Sequence, residues 1–437
     1  MKTIFAAIVA ALLAPALSQA DTPLVSVEVG QARVKKTLAA FPEIQAGAGT
    51  EAKLKVLRET TMTDLDFSGL FDFLAPAAFL EKTKDAGIAP NTFKMTDWSA
   101  IGAELLIKAK GSMDGKTLAL EVFAYAVVGG KQLLAKRYRA TDESLRMMAH
   151  SVSNDVLFAL TGKKGPFTSK LAFVSDHSGT KQIYVSDYDG FNPIRITTRF
   201  PQATAPAWSP DGKKLVFSAV TKNDKNVRNR NLFLYDFSTR KFTMLSDRQG
   251  INSGAVFSPN GKQLALTLSF SGNAEIYSMD PEEKTVQRLT NGYGLKVDPA
   301  WSPDGKQITY VSDSPGKSMI YKMDSGGANP QRLTFAGDFN ATPSWSPAGD
   351  KIAFAGSDAG KFDLFIMNTD GSNIERLTKN MGDNEDPDFA PDGYFIAYSS
   401  NRSGKRNVYI TNVDNTVHRE VTSGFGNCEA PRWSPAN

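Results

Sequence analysis

Short stretches of alternating apolar and polar residues recur through the C-terminal part of the chain, as at residues 215–218 and 308–312. Each stretch follows an aromatic-Ser-Pro phrase and a Pro-Asp-Gly type of turn, in which proline fixes φ and glycine supplies a positive φ. A second apolar stretch and a short segment ending in Arg-Leu-Thr complete the unit, as at residues 320–324 and 332–334. Apolar positions with a period of two, bounded by Gly, Pro and Asp, are typical of β-strands, so each unit predicts four strands.

The aromatic-Ser-Pro phrase occurs six times, once with alanine in place of serine. Its prolines are Pro210, Pro259, Pro303, Pro347, Pro391 and Pro435, which lie 49, 44, 44, 44 and 44 residues apart. A period in the forties with four strands per unit predicts the blades of a β-propeller. The first unit begins at Leu171 without this phrase, whereas the chain ends just after Trp433 and Pro435. We therefore expect the last strand to complete the first blade and to close a six-bladed propeller that has no long open sheet edge.

The first twenty residues have the pattern of a secretory signal. Lys2 precedes an apolar run over residues 4–17, and small residues lead up to a cleavage position near Ala20. The apolar run is too short to span a bilayer, so we expect an exported chain without membrane insertion. The single cysteine, Cys428, cannot form an internal disulfide.

Residues 21–163 contain no repeat and predict an α/β domain. The pattern indicates a helix at residues 51–61, a strand at 71–74 and a capped helical turn at 97–102. An antiparallel meander is predicted from segments 104–110, 116–126 and 131–139, which are joined by glycine-containing turns. A last helix starts near Thr141 and ends at Gly162, with Leu145, Met148, Ala149, Val152, Val156 and Leu160 on one face. The expected division is a signal over residues 1–20, an α/β domain over 21–163 and an all-β propeller over 164–437.

Composition and motifs favour a binding protein over a catalyst. The chain has 50 Lys and Arg against 46 Asp and Glu, for a formal net charge of +4, which is not the basic excess expected of a nucleic-acid binder. The three histidines lack metal-ligand spacing, and no G-x-S-x-G nucleophile motif is present. Residues 316–318 imitate the end of a phosphate loop, but Val311 stands where its first glycine belongs. We predict no catalytic residue, metal or cofactor.

Departures from the repeat are concentrated before the aromatic-Ser-Pro strands. Such a strand is innermost in a propeller, so the loop that enters it is expected to open onto the central channel. These loops offer several carboxylates, and we hypothesise that this mouth binds a protein segment carrying Lys, Arg or backbone donors. The alternative is that the charges are merely solvated. The candidate partner-binding residues are Thr204, Asn252, Ser253, Val297, Asp298, Ala341, Thr342, Asp383, Glu385, Asp386 and Glu429.

A cleaved signal, an α/β domain and six propeller repeats that end the chain on Trp-Ser-Pro resemble the TolB family, a periplasmic component of the bacterial Tol-Pal system. Residues 185–190 with 195–197, and residues 160–165 at the domain junction, also match this family. The resemblance implies a periplasmic, non-enzymatic adaptor that is monomeric on its own and supports outer-membrane integrity and constriction during cell division. The implied partners are the lipoprotein Pal at the propeller mouth and TolA at the mature N-terminus.

Carried onto this sequence, the TolA-binding segment lies within residues 21–30. Its candidate residues are Asp21, Thr22, Pro23, Leu24, Val25 and Val27. In the family this segment either packs on the protein or is released, and its exposure is coupled to Pal binding.

A departure in the second repeat qualifies the resemblance. The second repeat has Gly254 to Phe257 where Pro-x-Trp is expected. An exported propeller enzyme of the lyase or lactonase type, using carboxylates at the channel mouth, is the alternative function. An enzyme needs a preorganised set of acid, base or metal groups, and the mouth loops contain no histidine.

Overall fold

The computed structural model describes residues 27–28, 35–81, 86–222, 227–358 and 360–436. The predicted signal and the candidate residues Asp21, Thr22, Pro23, Leu24 and Val25 lie outside the described residues. Within the described ranges, no helix is both long enough and apolar enough to cross a bilayer.

The N-terminal part is an α/β domain, as predicted. In chain order its elements are β1 (Val27–Glu28), β2 (Thr37–Ala40), β3 (Gln45–Ala46), α1 (Glu51–Phe67), β4 (Phe71–Phe73), α2 (Met95–Ala100), β5 (Leu105–Asp114), β6 (Thr117–Ala126), β7 (Lys131–Ala140) and α3 (Leu145–Thr161), with short 3-10 turns at Pro76–Ala78, Val128–Gly130 and Asp142–Ser144. The sheet has the order β4-β2-β5-β6-β7, with β3 also paired to β5. The predicted meander forms its antiparallel half, and β2 runs parallel to both β4 and β5.

Helices α1 and α3 pack on one face of this sheet. Met148, Ala149, Val152 and Val156 are buried as the periodicity predicts, and Gly162 ends α3 with a φ of 73°. Leu160 was assigned to the buried face, but it is exposed, and Leu157 is buried in its place. The last turn of α3 therefore presents a slightly rotated face to the core.

The C-terminal part is a propeller of six four-stranded antiparallel blades, which confirms the predicted fold. Blade one holds β8 (Lys170–Ser175), β9 (Gln182–Asp187) and β10 (Ile194–Arg195); blade two holds β11 (Ala203–Trp208), β12 (Lys214–Lys222), β13 (Arg228–Asp236) and β14 (Lys241–Ser246); blade three holds β15 (Asn252–Phe257), β16 (Leu264–Leu268), β17 (Glu275–Met279) and β18 (Val286–Arg288). Blade four holds β19 (Lys296–Trp301), β20 (Gln307–Ser312), β21 (Met319–Asp324) and β22 (Gln331–Arg332); blade five holds β23 (Phe339–Trp345), β24 (Lys351–Asp358), β25 (Lys361–Asn368) and β26 (Glu375–Arg376); blade six holds β27 (Asn384–Phe389), β28 (Phe395–Ser400), β29 (Asn407–Asn412) and β30 (His418–Glu420).

The last strand, β31 (Cys428–Trp433), becomes the inner strand of blade one. It pairs antiparallel with β8, with Glu429 opposite Val174 and Trp433 opposite Leu171. The predicted closure of the ring by its two ends is confirmed.

Repeated side chains hold the blades together. The Trp208 ring nitrogen donates to the Arg432 carbonyl of blade one at 3.1 Å, and the Trp345 ring nitrogen donates to Thr309 Oγ1 of blade four at 3.0 Å. Within a blade, the threonine of Arg-Leu-Thr accepts a backbone N–H of the third strand, as Thr334 does from Ile320 at 2.9 Å. Within the repeat, these tryptophans therefore form contacts between blades, and the threonine of Arg-Leu-Thr forms hydrogen bonds inside a blade.

The α/β domain and the propeller share one hydrophobic core. Phe67, at the end of α1, stacks on Phe395 of blade six with ring centroids 4.9 Å apart. Its edge also meets Tyr188 of blade one at 5.4 Å. Tyr188 and Trp433 lie where β31 ends. The α/β domain therefore covers the face of the propeller at which the inner strands end, and the opposite face, at which they begin, stays open.

Replacing Phe67 with alanine tests this shared core. Because the ring is fully buried between the two parts, we expect Phe67→Ala to lower the free energy of unfolding by roughly 3 to 5 kcal/mol. Chemical denaturation measures the change, and Phe158→Ala, which removes an exposed ring of α3, is the matched control. Equal stability of the two variants would contradict the shared core.

Candidate binding site at the mouth of the central channel

Each inner strand of the propeller carries a β-bulge at the same position. The residue at the bulge has a positive φ of 50° to 62° in all six blades: Ala205, Gly254, Asp298, Thr342, Asp386 and Ala430. The register of each inner strand shifts across this residue. We call these six residues the bulge ring. A non-glycine residue held at positive φ costs of the order of 1 kcal/mol, and bulges re-aim side chains near functional sites.

The bulge ring lines a central cavity of about 630 Å³. Proline follows the bulge in five blades, while Ala255 takes that place in blade three. Because the residues of the ring differ in chemistry, the channel is not sixfold symmetric. Asp298 and Asp386 give it two carboxylates at one level.

The two carboxylates of the ring differ in their contacts. Asp386 Oδ2 accepts the Ser399 hydroxyl at 2.7 Å and the Ala430 N–H at 3.2 Å, which ties blade six to blade one. No donor from the described part of the chain forms a hydrogen bond with the Asp298 carboxylate. Burial, together with the negative charge of Asp386, raises the pKa of Asp298 to about 6 against the opposing charge of Arg432. Asp298 is therefore the carboxyl of the ring whose charge a ligand can change most readily.

A third carboxyl lies deeper in the channel wall. Burial also raises the pKa of Asp388 to about 6, against the opposing charge of Arg432. Asp388 Oδ2 accepts the Trp433 N–H at 2.7 Å. This carboxyl supports the closing strand.

Basic side chains accompany the acidic residues of the mouth. Glu429 pairs with Lys181 at 2.5 Å, and Glu385 pairs with Arg406 at 2.7 Å. The Thr204 hydroxyl accepts a hydrogen bond from the Arg230 guanidinium at 3.1 Å. The mouth is thus a surface of mixed charge, unlike the acidic cluster that the sequence suggested.

The structure places the candidate residues at the starts of inner strands, whereas they were expected in loops; only Asp383 precedes its strand. Nine are half-buried: Thr204, Ser253, Val297, Asp298, Thr342, Asp383, Glu385, Asp386 and Glu429. Of these nine, Val297, Asp383 and Glu385 are not among the residues that line the central cavity, and the other six are. Asn252 and Ala341 are buried. Asn252 accepts the Ser246 hydroxyl at 2.6 Å and donates to the Arg230 carbonyl at 2.9 Å, so it supports the chain and does not face a partner in this structure.

Sequence reasoning missed an apolar surface beside the mouth. Six large apolar residues that lead into or flank the inner strands of blades three to five are exposed: Ile251, Phe270, Tyr293, Leu295, Phe335 and Phe339. We call them the aromatic arc. Tyr293 and Phe335 are 85% and 69% exposed, and the Arg332 guanidinium lies 4.9 Å from the centre of the Phe335 ring. Large apolar residues in otherwise polar loops were the available signal.

Comparison with known proteins agrees with this architecture. Residues 158–437 match the family model of the TolB beta propeller domain, and residues 25–133 match that of the TolB amino-terminal domain. The Tol-Pal system protein TolB of Desulfosudis oleivorans is 33% identical over 57% of this chain and 57% of its own length. The protein TolB homolog of Chlorobium chlorochromatii is 35% identical over 62% of this chain and 60% of its own length. The chain thus aligns with less than two thirds of these curated relatives.

A solved structure extends the similarity over both parts. The crystal structure of TolB from Acinetobacter baumannii superposes with a TM-score of 0.80 and 28% identity, covering 93% of this chain and 99% of that one. With both family models matched and the same two-part architecture, this protein belongs to the TolB family.

Proposed function

We propose that this protein is a periplasmic protein-binding adaptor of the Tol-Pal system that receives the lipoprotein Pal at the mouth of its central channel. The observation that carries the proposal is the aromatic arc beside the half-buried bulge ring. In this role the protein supports outer-membrane integrity and constriction during division, after export and cleavage near Ala20. Its residues 21–163 and 164–437 act as the two working parts.

The chemistry of the mouth suits a protein ligand. Exposed Tyr and Phe side chains supply large apolar contact area, and aromatic residues are enriched among the residues that dominate binding energy. The channel beside them offers Asp298, whose carboxylate is free to accept a Lys, an Arg or a backbone N–H. A folded domain resting on the aromatic arc and inserting a short segment into the channel would use both features.

Family membership favours the adaptor over the exported lyase or lactonase. The carboxyls of the channel also have structural duties, since Asp386 and Asp388 accept backbone N–H groups of the closing strand. Such contacts fix the wall of a binding channel and leave Asp298 as the single carboxyl of the bulge ring without a hydrogen bond among the described residues. One carboxyl does not form the acid and base pair that the alternative needs.

The mature N-terminus is our proposed TolA-binding segment, within residues 21–30. Val27 and Glu28 of β1 pair in parallel with Glu375 and Arg376 of β26, at the outer edge of blade five. A two-residue pairing at a sheet edge is easily exchanged for another partner, because few hydrogen bonds hold it. Phe339 of the aromatic arc begins the inner strand of blade five, and Phe335 precedes it. The segment and the mouth therefore involve the same blade, at its outer and inner edges.

Removing the two most exposed rings of the aromatic arc tests the mouth. We expect Tyr293→Ala and Phe335→Ala each to weaken binding of the soluble domain of Pal about tenfold or more, since exposed aromatic anchors lose contact area with the partner. Calorimetric titration measures the affinity, and Phe158→Ala on α3 is the control. Wild-type affinity in the double variant would exclude the aromatic arc from the interface.

The pH dependence of Pal binding tests the channel. The pKa of Asp298 is about 6, so the carboxyl gains a proton as the pH falls from 7 to 5 and loses its attraction for a cation or donor. We expect binding to weaken by up to about tenfold over this interval. We expect Asp298→Asn to bind weakly at both pH values and to show a smaller pH dependence, since Asp388 of the channel wall still titrates near pH 6. An unchanged pH dependence in Asp298→Asn would show that Pal does not contact this carboxyl.

Deleting residues 21–30 tests the second partner. The deletion should abolish binding to the C-terminal domain of TolA. It should also change the affinity for Pal, because the N-terminal segment and the proposed Pal-binding surface both involve blade five. Calorimetry with each partner reads out the two effects, and an unchanged thermal unfolding midpoint shows that the fold is intact. Retained TolA affinity would place that contact elsewhere.

A further inference from the structure

A buried polar network joins the two parts of the molecule at the end away from the mouth. Oδ2 of Asp64, on α1, accepts a hydrogen bond from Ser153 Oγ at 2.7 Å. The same oxygen lies 2.8 Å from His150 Nδ1 of α3 and accepts a hydrogen bond from it in the tautomer that carries the proton on Nδ1. The other oxygen of Asp64 accepts the Tyr188 hydroxyl of blade one at 2.7 Å. Asp64, His150, Ser153 and Tyr188 are all fully buried.

The residues on either side of Tyr188 bring two further carboxylates to His150. One ring nitrogen of His150 and one carboxylate oxygen from each of Asp187 and Asp189 lie within 4.8 Å of one another. Nδ1 is engaged with Asp64, whereas His150 Nε2 is buried and has no hydrogen-bond partner. Buried polar atoms are nearly always paired, so an unpartnered ring nitrogen beside two carboxylates calls for a ligand.

We propose that His150, Asp187 and Asp189 form a binding site for a first-row divalent cation, with Zn²⁺ as the best match. Zn²⁺ takes imidazole nitrogen together with carboxylate oxygens, and water can complete a four-coordinate site. Ca²⁺ prefers oxygen ligands alone, so an imidazole ligand disfavours it.

The surroundings of His150 are those of a metal-bound histidine. Such a histidine commonly donates its other ring N–H to a carboxylate, which fixes the tautomer and orients the ring. Asp64 occupies that position here. Asp64 also accepts a hydrogen bond from the Tyr188 hydroxyl. The carboxylate that orients the His150 ring therefore also joins α1 and α3 to blade one.

Two cationic side chains compete for the same carboxylates. Lys170 pairs with Asp187, and Arg146 pairs with Asp189. Lys170 is partly exposed and can turn outward when a metal ion takes its place. Arg146 also donates to Thr60 at 3.1 Å, so a metal ion would take Asp189 from it while that second hydrogen bond keeps the guanidinium nearby. The site would then exchange two ion pairs for one cation that links the α/β domain to the propeller. A ligand that binds only the folded protein raises its unfolding temperature.

Zn²⁺ titration of the mature protein, residues 21–437, tests the site after treatment with EDTA and desalting. We expect saturable binding of one Zn²⁺ by calorimetry, one zinc per chain by elemental analysis, and a higher unfolding temperature. His150→Gln and Asp189→Asn should each weaken the affinity at least tenfold. His177→Gln removes an exposed histidine at the opposite end of blade one and should leave the affinity unchanged.

Lys170→Ala separates a metal site from a purely structural cluster. Removing the competing ammonium should tighten Zn²⁺ binding severalfold, which a role in packing alone does not predict. His150 lies in the core, so His150→Gln can disturb the fold. Asp189 is partly exposed, so Asp189→Asn leaves the core intact, and circular dichroism verifies the fold of Asp189→Asn and Lys170→Ala. The proposal is overturned if the wild type binds no Zn²⁺ saturably, or if Asp189→Asn and Lys170→Ala both keep the wild-type affinity.

Discussion

The pairing of β31 with β8 is the constraint on which the rest of the propeller depends. It joins Trp433 to Leu171 and closes six separate blades into a ring. Without it, two inner sheet edges would be open to solvent and to pairing with other chains. The closing strand also brings Ala430 into the bulge ring and carries Arg432, whose charge opposes the rise in the pKa of both Asp298 and Asp388. The strand that closes the ring therefore also sets the charge of the channel.

The repeat made the propeller predictable because each blade is a local unit with its own turn signals. The α/β domain was predicted less well, and α1 shows why. Its predicted end was residue 61, but it continues to Phe67, and its last turns bury Thr61 and Asp64. Polar residues on a buried face hide the helical period. Asp64 is acceptable there because Tyr188, which is 124 residues away in sequence, hydrogen-bonds to it.

The candidate site shows the same limit. The sequence located the starts of the inner strands, since the repeat marks them, but it could not indicate which charges are paired. Glu429 meets Lys181 across the closure of the ring, 248 residues apart in sequence. Asn252 looked like a loop residue, yet its amide donates to the Arg230 carbonyl and so holds the backbone of the preceding blade. The bulge residue itself has no fixed identity, because Asp, Thr, Ala and Gly all occupy it. The proline that follows it in five blades marks the position but not the positive φ.

The mouth and the domain junction are connected through the inner strands of blades six and one. Asp386 accepts the Ala430 N–H at the mouth, and Asp388 accepts the Trp433 N–H further down. The Trp433 ring then stacks 6.4 Å from Tyr188, which bonds to Asp64 of the α/β domain. A partner at the mouth can bias the junction only if it binds two arrangements of this path with different affinity. The path supplies the contacts for such coupling. Because a hydrogen bond joins the Trp433 N–H to Asp388, a second arrangement of the path would differ from this one in that hydrogen bond.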